Sequence, residues 1–436
     1  LDKQIAEAAD DFTRIALKAK AAKDYFLLVG PPGTGKTSCA LKKMVETFYK
    51  EEGAQILLLS YTNRAVDEIC KALSSIRPEV DFIRVGSELS CDENYRDHLI
   101  ENELATCMRR TEVCERINRC RILVGTVASI SGKPELFRLK HFDVAIVDEA
   151  TQILEPQLLG ILCAKGENGK EGVGKFILIG DHKQLPAVVL QNSEQSEVYD
   201  EALSAVGLKN LKDSLFERLY RTARQHTDAH RTYDMLCRQG RMHPEVALFA
   251  NQAFYEGRLL PVGLPHQLED SGNINRLSFY PSQPEPMGSS AKTNHSEAKI
   301  AARLAATVYK EHSEAFDASR TLGIITPYRS QIALVKKEIE ALGIPELNQI
   351  LIDTVERFQG SERDVIIYSF CVNYPYQLKF LSNLTEEDGI LIDRKLNVAL
   401  TRARKQMLLT GVPTLLERNP LYKSLLKLIE SLRNIA

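Results

Sequence analysis

The 436-residue sequence has no long apolar run, no secretory signal and no regularly spaced cysteines. No apolar stretch reaches the ~18 residues that a membrane-spanning helix needs, so we expect no membrane association. The amino terminus lacks a basic region followed by an apolar one, which argues against secretion. It begins at Leu1 and not at a methionine, which leaves room for residues upstream.

The nine cysteines form no CxxC pair and have no histidines at a zinc-binding spacing. An odd number of scattered cysteines is typical neither of a disulfide framework nor of a zinc site. We therefore expect a reducing compartment, the cytoplasm, or the nucleus if the source is eukaryotic. The formal net charge of −2 gives no electrostatic indication of nucleic acid, so that hypothesis must depend on motifs.

A chain of this length is too long for one core, and its 44% apolar and 26% charged residues are typical of globular proteins. Short apolar runs alternate with longer helical stretches, which predicts an α/β fold with parallel sheets. The predicted strands are Tyr25–Val29, Gln55–Ser60, Arg121–Gly125, Asp143–Val147 and Lys175–Gly180, and then Thr321–Thr326, Ile350–Thr354, Asp364–Cys371 and Gln406–Gly411.

Two strand series predict two tandem domains. We assign residues 1–190 to the first, with a small helical insertion at about 88–121, and residues 236–436 to the second. The stretch 191–235, whose first part is polar, is predicted to connect them. Open α/β sheets bind ligands at the carboxyl ends of their strands, which directs attention to the residues that follow each strand.

The segment from Gly30 to Thr37, GPPGTGKT, follows a strand and opens a helix, as a phosphate-binding loop does. Its glycines let successive N–H groups point at phosphate oxygens, Lys36 would neutralise the β- and γ-phosphates, and the Thr37 hydroxyl would bind Mg²⁺. A glycine-rich turn with a chance lysine is the alternative. The predicted nucleotide-binding residues are Gly30, Pro32, Gly33, Thr34, Gly35, Lys36, Thr37 and Ser38.

Two further strand ends carry residues suited to hydrolysis. Asp148 and Glu149 end the strand Asp143–Val147, where Asp148 would hold Mg²⁺ and Glu149 would polarise the attacking water. Gln184, in GDHKQLP, is a candidate γ-phosphate sensor because its amide can both donate and accept. Acidic pairs at strand ends are common, and a solvated loop is the alternative for the second segment.

The order of the motifs resembles that of superfamily 1B helicases, and most closely the branch of the nonsense-mediated-decay RNA helicase and its replication and repair relatives. The segments that carry the resemblance, from about Gly30 to Gly411, are GPPGTGKT, DEATQ from Asp148, GDHKQLP, RMHP from Arg241, TPYR from Thr326, VERFQGSE from Val355 and NVALTRAR from Asn397. The resemblance implies two RecA-like domains of the P-loop NTPase type.

The resemblance also implies roles for residues of the second domain. Arg241 and Arg402 match two arginine fingers that contact phosphates bound by the first domain, and such a finger contributes about 10³–10⁵ in rate. Gly360 and Glu362, with Gln359, match a motif that links the nucleotide to the nucleic-acid face. A turn before the following strand is the local alternative.

Hydroxyl and amide side chains at helix starts suit the phosphates of a single strand. In the first domain these are Thr62, Asn63, Thr126 and Ser129, and Pro327, Tyr328 and Thr354 are their predicted counterparts in the second. Helix capping would explain the threonines equally well. Tyr328 would either stack on a base or belong to the core.

The sequence departs from the family pattern at three points. Gly240 stands where relatives have a tyrosine that stacks on adenine, which predicts weaker base selectivity and broader nucleotide use. Gln4 is the candidate for the glutamine that contacts adenine, although it lies farther from the phosphate loop than in the family. No segment indicates the β-barrel insertion of many relatives.

We therefore expect an ATP- and Mg²⁺-dependent monomeric motor that steps along single-stranded DNA or RNA, in the 5′ to 3′ direction that the resemblance implies. The alternative is an ATP-dependent nucleic-acid clamp or scaffold that does not unwind. An AAA-type protein remodeller is disfavoured because both candidate arginines lie in the same chain as the phosphate loop.

Overall fold

In the computed structural model, which describes residues 2–226 and 231–433, the chain forms two compact units. The first unit comprises the residues up to 182 together with 186–236. The second comprises 183–185 together with the residues from 237 onward. Among the described residues no helix has both the length and the apolar character needed to cross a membrane.

The first unit contains a seven-stranded sheet in the order β3-β4-β2-β5-β6-β1-β7, in which every pair is parallel. The strands are β1 Tyr25–Val29, β2 Ile56–Ser60, β3 Phe82–Val85, β4 Ile122–Thr126, β5 Val144–Val147, β6 Phe176–Gly180 and β7 Tyr233–Met235. The five predicted strands of this domain lie within one residue of β1, β2, β4, β5 and β6 at each end.

Helices cover both faces of this sheet. Side chains alternate along each strand, so Leu28 and Leu58 enter one core while Leu27 and Leu57 enter the other. Both faces are therefore apolar, which explains the unbroken apolar runs. The helices are α1 Asp2–Ala6, α2 Asp11–Ala21, α3 Lys42–Tyr49, α4 Asn63–Ser74, α5 Ile100–Glu103, α6 Arg110–Arg119, α7 Val127–Ser131, α8 Glu135–Leu139, α9 Glu155–Leu162, α10 Ser193–Ser196, α11 Glu201–Ala205 and α12 Leu215–Arg224.

The segment 88–121, predicted as a helical insertion, contains α5, α6 and the 3₁₀ turns Glu88–Ser90 and Glu93–His98. Arg84 of β3 anchors it, because this buried guanidinium pairs with Asp67 and donates to the Ser90 carbonyl at 3.2 Å.

The stretch 191–235, predicted to connect the domains, contributes structure to the first unit. It contains α10, α11 and α12 and ends in β7, which pairs with β1 as the edge strand. Asp234 of β7 accepts hydrogen bonds from Arg14 at 2.6 Å and Lys18 at 2.8 Å, both on α2. A single three-residue strand was too short to stand out in the sequence.

The second unit contains a five-stranded parallel sheet in the order β10-β16-β13-β11-β12. Its strands are β10 Leu277–Pro281, β11 Leu322–Ile325, β12 Leu351–Asp353, β13 Arg363–Ser369 and β16 Ala403–Gly411. Two small strand pairs accompany this sheet. One is β8 Arg238–Gln239 with β9 Leu260–Pro261, and the other is the hairpin of β14 Leu384–Glu387 with β15 Ile390–Asp393. The sequence predicted four strands of the large sheet but not β10 or the hairpin.

The helices of the second unit include two long ones, α15 and α16, which pack against each other and share a core with β11 and β13. Its helices are α13 Pro244–Phe254, α14 Pro265–Leu268, α15 His295–Glu311, α16 Arg329–Glu340, α17 Val355–Phe358, α18 Leu378–Leu381, α19 Arg394–Leu400, α20 Pro413–Leu416 and α21 Pro420–Arg433. The predicted α/β class with two RecA-like domains is thus confirmed.

Glu297 of α15 lies fully buried among polar groups of the second unit. Its carboxylate accepts hydrogen bonds from Ser369 Oγ at 2.7 Å, the Cys371 amide at 2.8 Å and Ser282 Oγ at 3.2 Å. Burial nevertheless raises the pKa of Glu297 to about 7 from the usual 4.5. Ionising this group in the folded protein is therefore unfavourable.

We expect the free energy of unfolding to fall as the pH rises from about 4.5 to about 7. In that window the unfolded chain releases the Glu297 proton while the folded chain retains it, and the loss would be on the order of 3 kcal/mol. Glu297→Gln should remove this slope. Urea unfolding across the pH range measures it, and an unchanged slope in the variant would contradict the assignment.

Candidate functional site

The phosphate-binding motif lies at the carboxyl end of β1, which pairs with β6 on one side and with the edge strand β7 on the other. Gly33 and Gly35 have φ values of 73° and 76°, in the left-handed region that favours glycine. A Cβ at Gly30 would lie 2.1 Å from Cγ of Lys36, so only glycine leaves room for that side chain. The backbone after Gly35 continues as a π-helical turn, Lys36–Leu41, into α3.

Asp148 stands directly beside this loop at the end of β5. Thr37 Oγ1 donates to Asp148 Oδ2 at 2.5 Å, and the Asp148 backbone is held by β2 through Leu59 and Ser60. The side chain is 1% exposed, and burial together with the Glu149 charge raises the pKa of Asp148 to about 6. The structure thus brings together the two residues predicted to bind Mg²⁺.

Glu149 follows in an unusual backbone conformation, with φ of 53°. Its carboxylate Oε1 lies 4.0 Å from Lys36 Nζ. Gln152 donates to its other oxygen at 3.4 Å. Left-handed conformations of non-glycine residues are unfavourable and are often found at functional sites.

This set of groups fits a Mg²⁺-bound triphosphate. A hydroxyl and a carboxylate are the oxygen ligands that Mg²⁺ prefers, and a buried carboxylate with a raised pKa would gain from a bound cation. The glycine-lined loop and Lys36 provide the complementary positive surface for phosphates.

In the second unit, Arg241 is held by Glu362. Its Nε donates to Glu362 Oε2 at 2.5 Å, and Nη1 donates to the Thr401 carbonyl at 3.3 Å. Burial alone would raise the pKa of Glu362, but Arg241, with Arg404 and Arg402, lowers it below its usual value. Arg241 and Glu362, which the resemblance both links to the nucleotide, are therefore direct partners.

Arg402 is 2% exposed and lies immediately before β16. It donates from Nε to the Val398 carbonyl at 3.0 Å and from Nη1 to the Ser361 carbonyl at 3.3 Å. Its Nη2 also donates to Oε1 of Gln184 at 3.3 Å, because the short segment 183–185 packs with the second unit. Two predicted catalytic side chains thus meet here.

Sequence reasoning missed two residues of this region. Asn397 donates to the Lys183 carbonyl at 2.7 Å and to the Tyr255 hydroxyl at 2.8 Å. Arg404 Nε lies 3.9 Å from Glu362 Oε1. Both residues belong to the NVALTRAR run, so their place in that motif was the available signal.

Two predicted nucleotide residues, Gly360 and Gln4, and the departure at Gly240 have little beside them that defines a role. Gly360 has a φ of 79°, and a Cβ there would meet no atom within 4 Å. Gly240 is half-buried, and a Cβ there would lie 3.3 Å from Leu264 Cδ1 and 3.8 Å from Val262 Cγ2. Gln4 is exposed on α1. Their roles stay predictions.

Two of the four strand-binding candidates of the first unit, Thr62 and Thr126, are helix caps. Thr62 Oγ1 accepts from the Ala65 amide at 3.1 Å, at the start of α4 where Asn63 follows. Thr126 Oγ1 accepts from the Ser129 amide at 3.0 Å at the start of α7. Capping explains both threonines locally and leaves strand binding as a prediction.

The candidates of the second unit follow the carboxyl ends of neighbouring strands. Pro327 and Tyr328 come after β11, and Thr354 comes after β12. All three are half-buried, and the Tyr328 hydroxyl accepts from Gln377 Nε2 at 3.1 Å. By contrast, Arg402 precedes β16 and Glu362 precedes β13. Because all the strands of this sheet are parallel, the strand-binding candidates lie at its carboxyl edge, whereas Arg402 and Glu362 lie at its amino edge.

Two family models match the chain, and each is described as an AAA domain. One covers residues 7–116 and 100–192, and the other covers residues 211–414. Together they match most of the sequence, including the phosphate loop, Asp148, Gln184 and the two arginines.

Curated relatives include replication proteins. "DNA replication ATP-dependent helicase/nuclease DNA2" of Gallus gallus is 30% identical over 411 residues, 93% of this chain and 36% of that protein. The Bos taurus protein of the same name is 28% identical over 455 residues, 95% of this chain and 38% of that protein. "DNA polymerase alpha-associated DNA helicase A" of Saccharomyces cerevisiae is 26% identical over 94% of this chain and 65% of its own length.

The chain therefore spans a little over a third of the first two relatives and just under two thirds of the yeast protein. Among solved structures, arterivirus nonstructural protein 10 (helicase) in complex with DNA matches with a TM-score of 0.43 and 15% identity, over 91% of this chain and 62% of that one.

Proposed function

Because the chain belongs to the superfamily 1 helicases, we propose that it is an ATP-dependent helicase or translocase that moves along single-stranded nucleic acid, in the 5′ to 3′ direction. The relatives' names favour DNA over RNA as the first track to test. The branch within the superfamily stays a prediction.

The observation that carries this proposal is the buried Asp148 beside Thr37, at the edge of the same sheet as Lys36 and Glu149. We propose that Lys36 and the loop amides bind the β- and γ-phosphates, while Thr37 and Asp148 hold Mg²⁺. The bound cation would offset the developing negative charge on the phosphates. Glu149 would accept a proton from the attacking water.

The second unit would supply the remaining charges. We propose that Arg241 and Arg402 contact the same triphosphate and stabilise its transition-state charge, while Gln184 senses the γ-phosphate. Holding each guanidinium by several hydrogen bonds limits its conformational freedom, which reduces the entropy lost on reaching the phosphate. Strand contacts would come from the residues that follow the strand ends in each unit.

A clamp that hydrolyses ATP without unwinding is the second candidate. Among residues 2–226 and 231–433, β14–β15 is the sole antiparallel pair of named strands, so those residues include no barrel that could separate a duplex. A strand-displacement assay on partial duplexes with a 5′ or a 3′ overhang, in DNA and in RNA, distinguishes the two.

For that assay we expect ATP turnover to rise at least about tenfold with single-stranded DNA, together with displacement from the 5′ overhang. Stimulation without displacement would favour the clamp. If neither DNA nor RNA changes the ATPase rate, the motor proposal is wrong.

We expect Glu149→Gln to lower ATP turnover by about 100-fold or more while leaving nucleotide affinity within a few-fold, because a positioned general base contributes about 10²–10⁴ in rate. Steady-state ATPase rates and binding of a fluorescent ATP analogue measure the two effects. Glu52→Gln, an exposed residue of the same unit, is the matched control and should behave as the unchanged protein. Equal loss of binding and turnover would contradict a role as base.

We expect Gly240→Tyr to increase the preference for ATP over GTP several-fold, because a ring there would offer a stacking surface for adenine. The backbone φ at Gly240 is not in the left-handed region, and the nearest atom to an added Cβ is the end of the flexible Leu264 side chain, so the substitution should fit. The ratio of kcat/KM for the two nucleotides is the measurement. Gly240→Ala adds a Cβ without a ring and should leave the ratio unchanged. Strict ATP specificity before substitution would contradict the prediction.

A further inference from the structure

Three aromatic side chains follow β13 in the second unit and form what we call the aromatic ledge: Tyr374, Tyr376 and Phe380. Tyr376 is 55% exposed and Phe380 is 64% exposed. The Tyr374 and Tyr376 rings are nearly parallel, at 14°, with centroids 5.8 Å apart. Large exposed aromatic side chains gathered in one short segment are candidates for a binding surface.

The ledge stands on a firmly anchored support. The turn Pro375–Gln377 runs directly into α18, so residues four apart lie on the same face. Gln377 and Leu381 are 1% and 2% exposed and face the interior, whereas Tyr376 and Phe380 share the outer face. The two outer rings are therefore exposed because Gln377 and Leu381 bury the opposite face of this segment, and not because the segment frays.

Gln377 connects the ledge to a predicted strand contact. Its Oε1 accepts from the amides of Asn373 at 2.8 Å and Tyr374 at 3.0 Å. Its Nε2 donates to the Ala291 carbonyl at 2.7 Å and to the Tyr328 hydroxyl at 3.1 Å. One buried amide thus fixes Tyr328 and the ledge in the same arrangement, at the carboxyl edge of the sheet.

Three exposed cations belong to the segments that form this region. Lys379 lies between the two outer rings in sequence, and Arg329 follows Tyr328 directly. Lys292 is placed nearby because its carbonyl accepts from Ser330 Oγ at 2.8 Å. The hairpin that follows the ledge carries acidic residues, 386–388, so the surface is not uniformly basic. Ring faces and not phosphate attraction should therefore provide most of the binding.

We propose that the aromatic ledge stacks on unpaired bases of a single strand and extends the nucleic-acid path of the second unit beyond Tyr328. This inference rests on the proposed function. Every base presents a π-face, so such stacking tolerates any sequence and occurs with DNA and RNA alike. A single strand fits better than a protein partner because Gln377 holds the segment that carries the rings beside Tyr328, a predicted strand contact, and because Lys379 lies between the two outer rings in sequence.

The absence of tryptophan from the sequence allows a direct test. Tyr376→Trp introduces a sole indole on the ledge, and stacking of a base should quench most of its emission when a DNA or RNA oligonucleotide is added. An abasic strand of equal length and charge should bind more weakly and leave the emission unchanged. Tyr199→Trp, an 80% exposed position of the first unit, is the matched control and should not respond.

Affinity measurements provide the second test. Replacing both outer rings by leucine, in Tyr376→Leu with Phe380→Leu, keeps an apolar surface but removes the π-faces. We expect this double variant to bind oligo(dT) and oligo(U) about tenfold or more weakly, with little change for the abasic strand. Both side chains are exposed, so the midpoint of thermal unfolding should be preserved, which confirms folding. Tyr199→Leu should bind as the unchanged protein does.

The outcomes separate the two proposals. Suppose that the unchanged protein binds the oligonucleotides and that they stimulate its ATPase activity, but that the indole is not quenched and the leucine variant binds normally. The ledge inference is then wrong, and a protein partner becomes the better occupant of the ledge. If the unchanged protein binds no strand at all, both the ledge inference and the proposed function fail.

Discussion

The contact between Thr37 and Asp148 is the constraint around which the first unit is arranged. A carboxylate that is 1% exposed is costly to ionise, and its pKa is raised to about 6. It is tolerated because the hydroxyl of Thr37 and the amide of Glu149 donate to it. A parallel sheet brings Thr37 and Asp148 close together without special sequence features, because β1 and β5 end at the same edge.

Local chemistry explains why much of this site could be predicted from the sequence. The phosphate loop requires glycine at particular positions, and Gly33 and Gly35 do have positive φ values. The acidic pair directly follows a run of four apolar residues, Val144–Val147, so its place at a strand end needed no knowledge of the fold. The predicted contact between Thr37 and Asp148 spans 111 residues but depends only on strand order.

Features that depend on tertiary pairing were missed. β7 is three residues long and is a strand only because β1 lies beside it. β10 begins the second sheet without a strong apolar run, and its partner β16 lies more than a hundred residues away. The aromatic ledge was missed for a different reason: aromatic residues usually indicate a core, and only the burial of Gln377 and Leu381 shows which face of the turn is exposed.

The second unit separates two kinds of residue across one sheet. Glu362, with its partner Arg241, precedes β13, whereas the ledge follows it. β13 is paired on both sides, with β11 and β16, and its seven residues span roughly 23 Å at about 3.3 Å per residue. A strand held in this way cannot bend easily along its length, apart from the irregular register between Arg363 and Val365. A displacement of Glu362 that is transmitted along β13 would therefore reach the carboxyl end of the strand. There, Ser369 and the Cys371 amide are hydrogen-bonded to the buried Glu297, and the polar side chains that follow hold Tyr328. Contiguous packed and hydrogen-bonded elements of this kind are the physical basis on which two distant sites can influence each other.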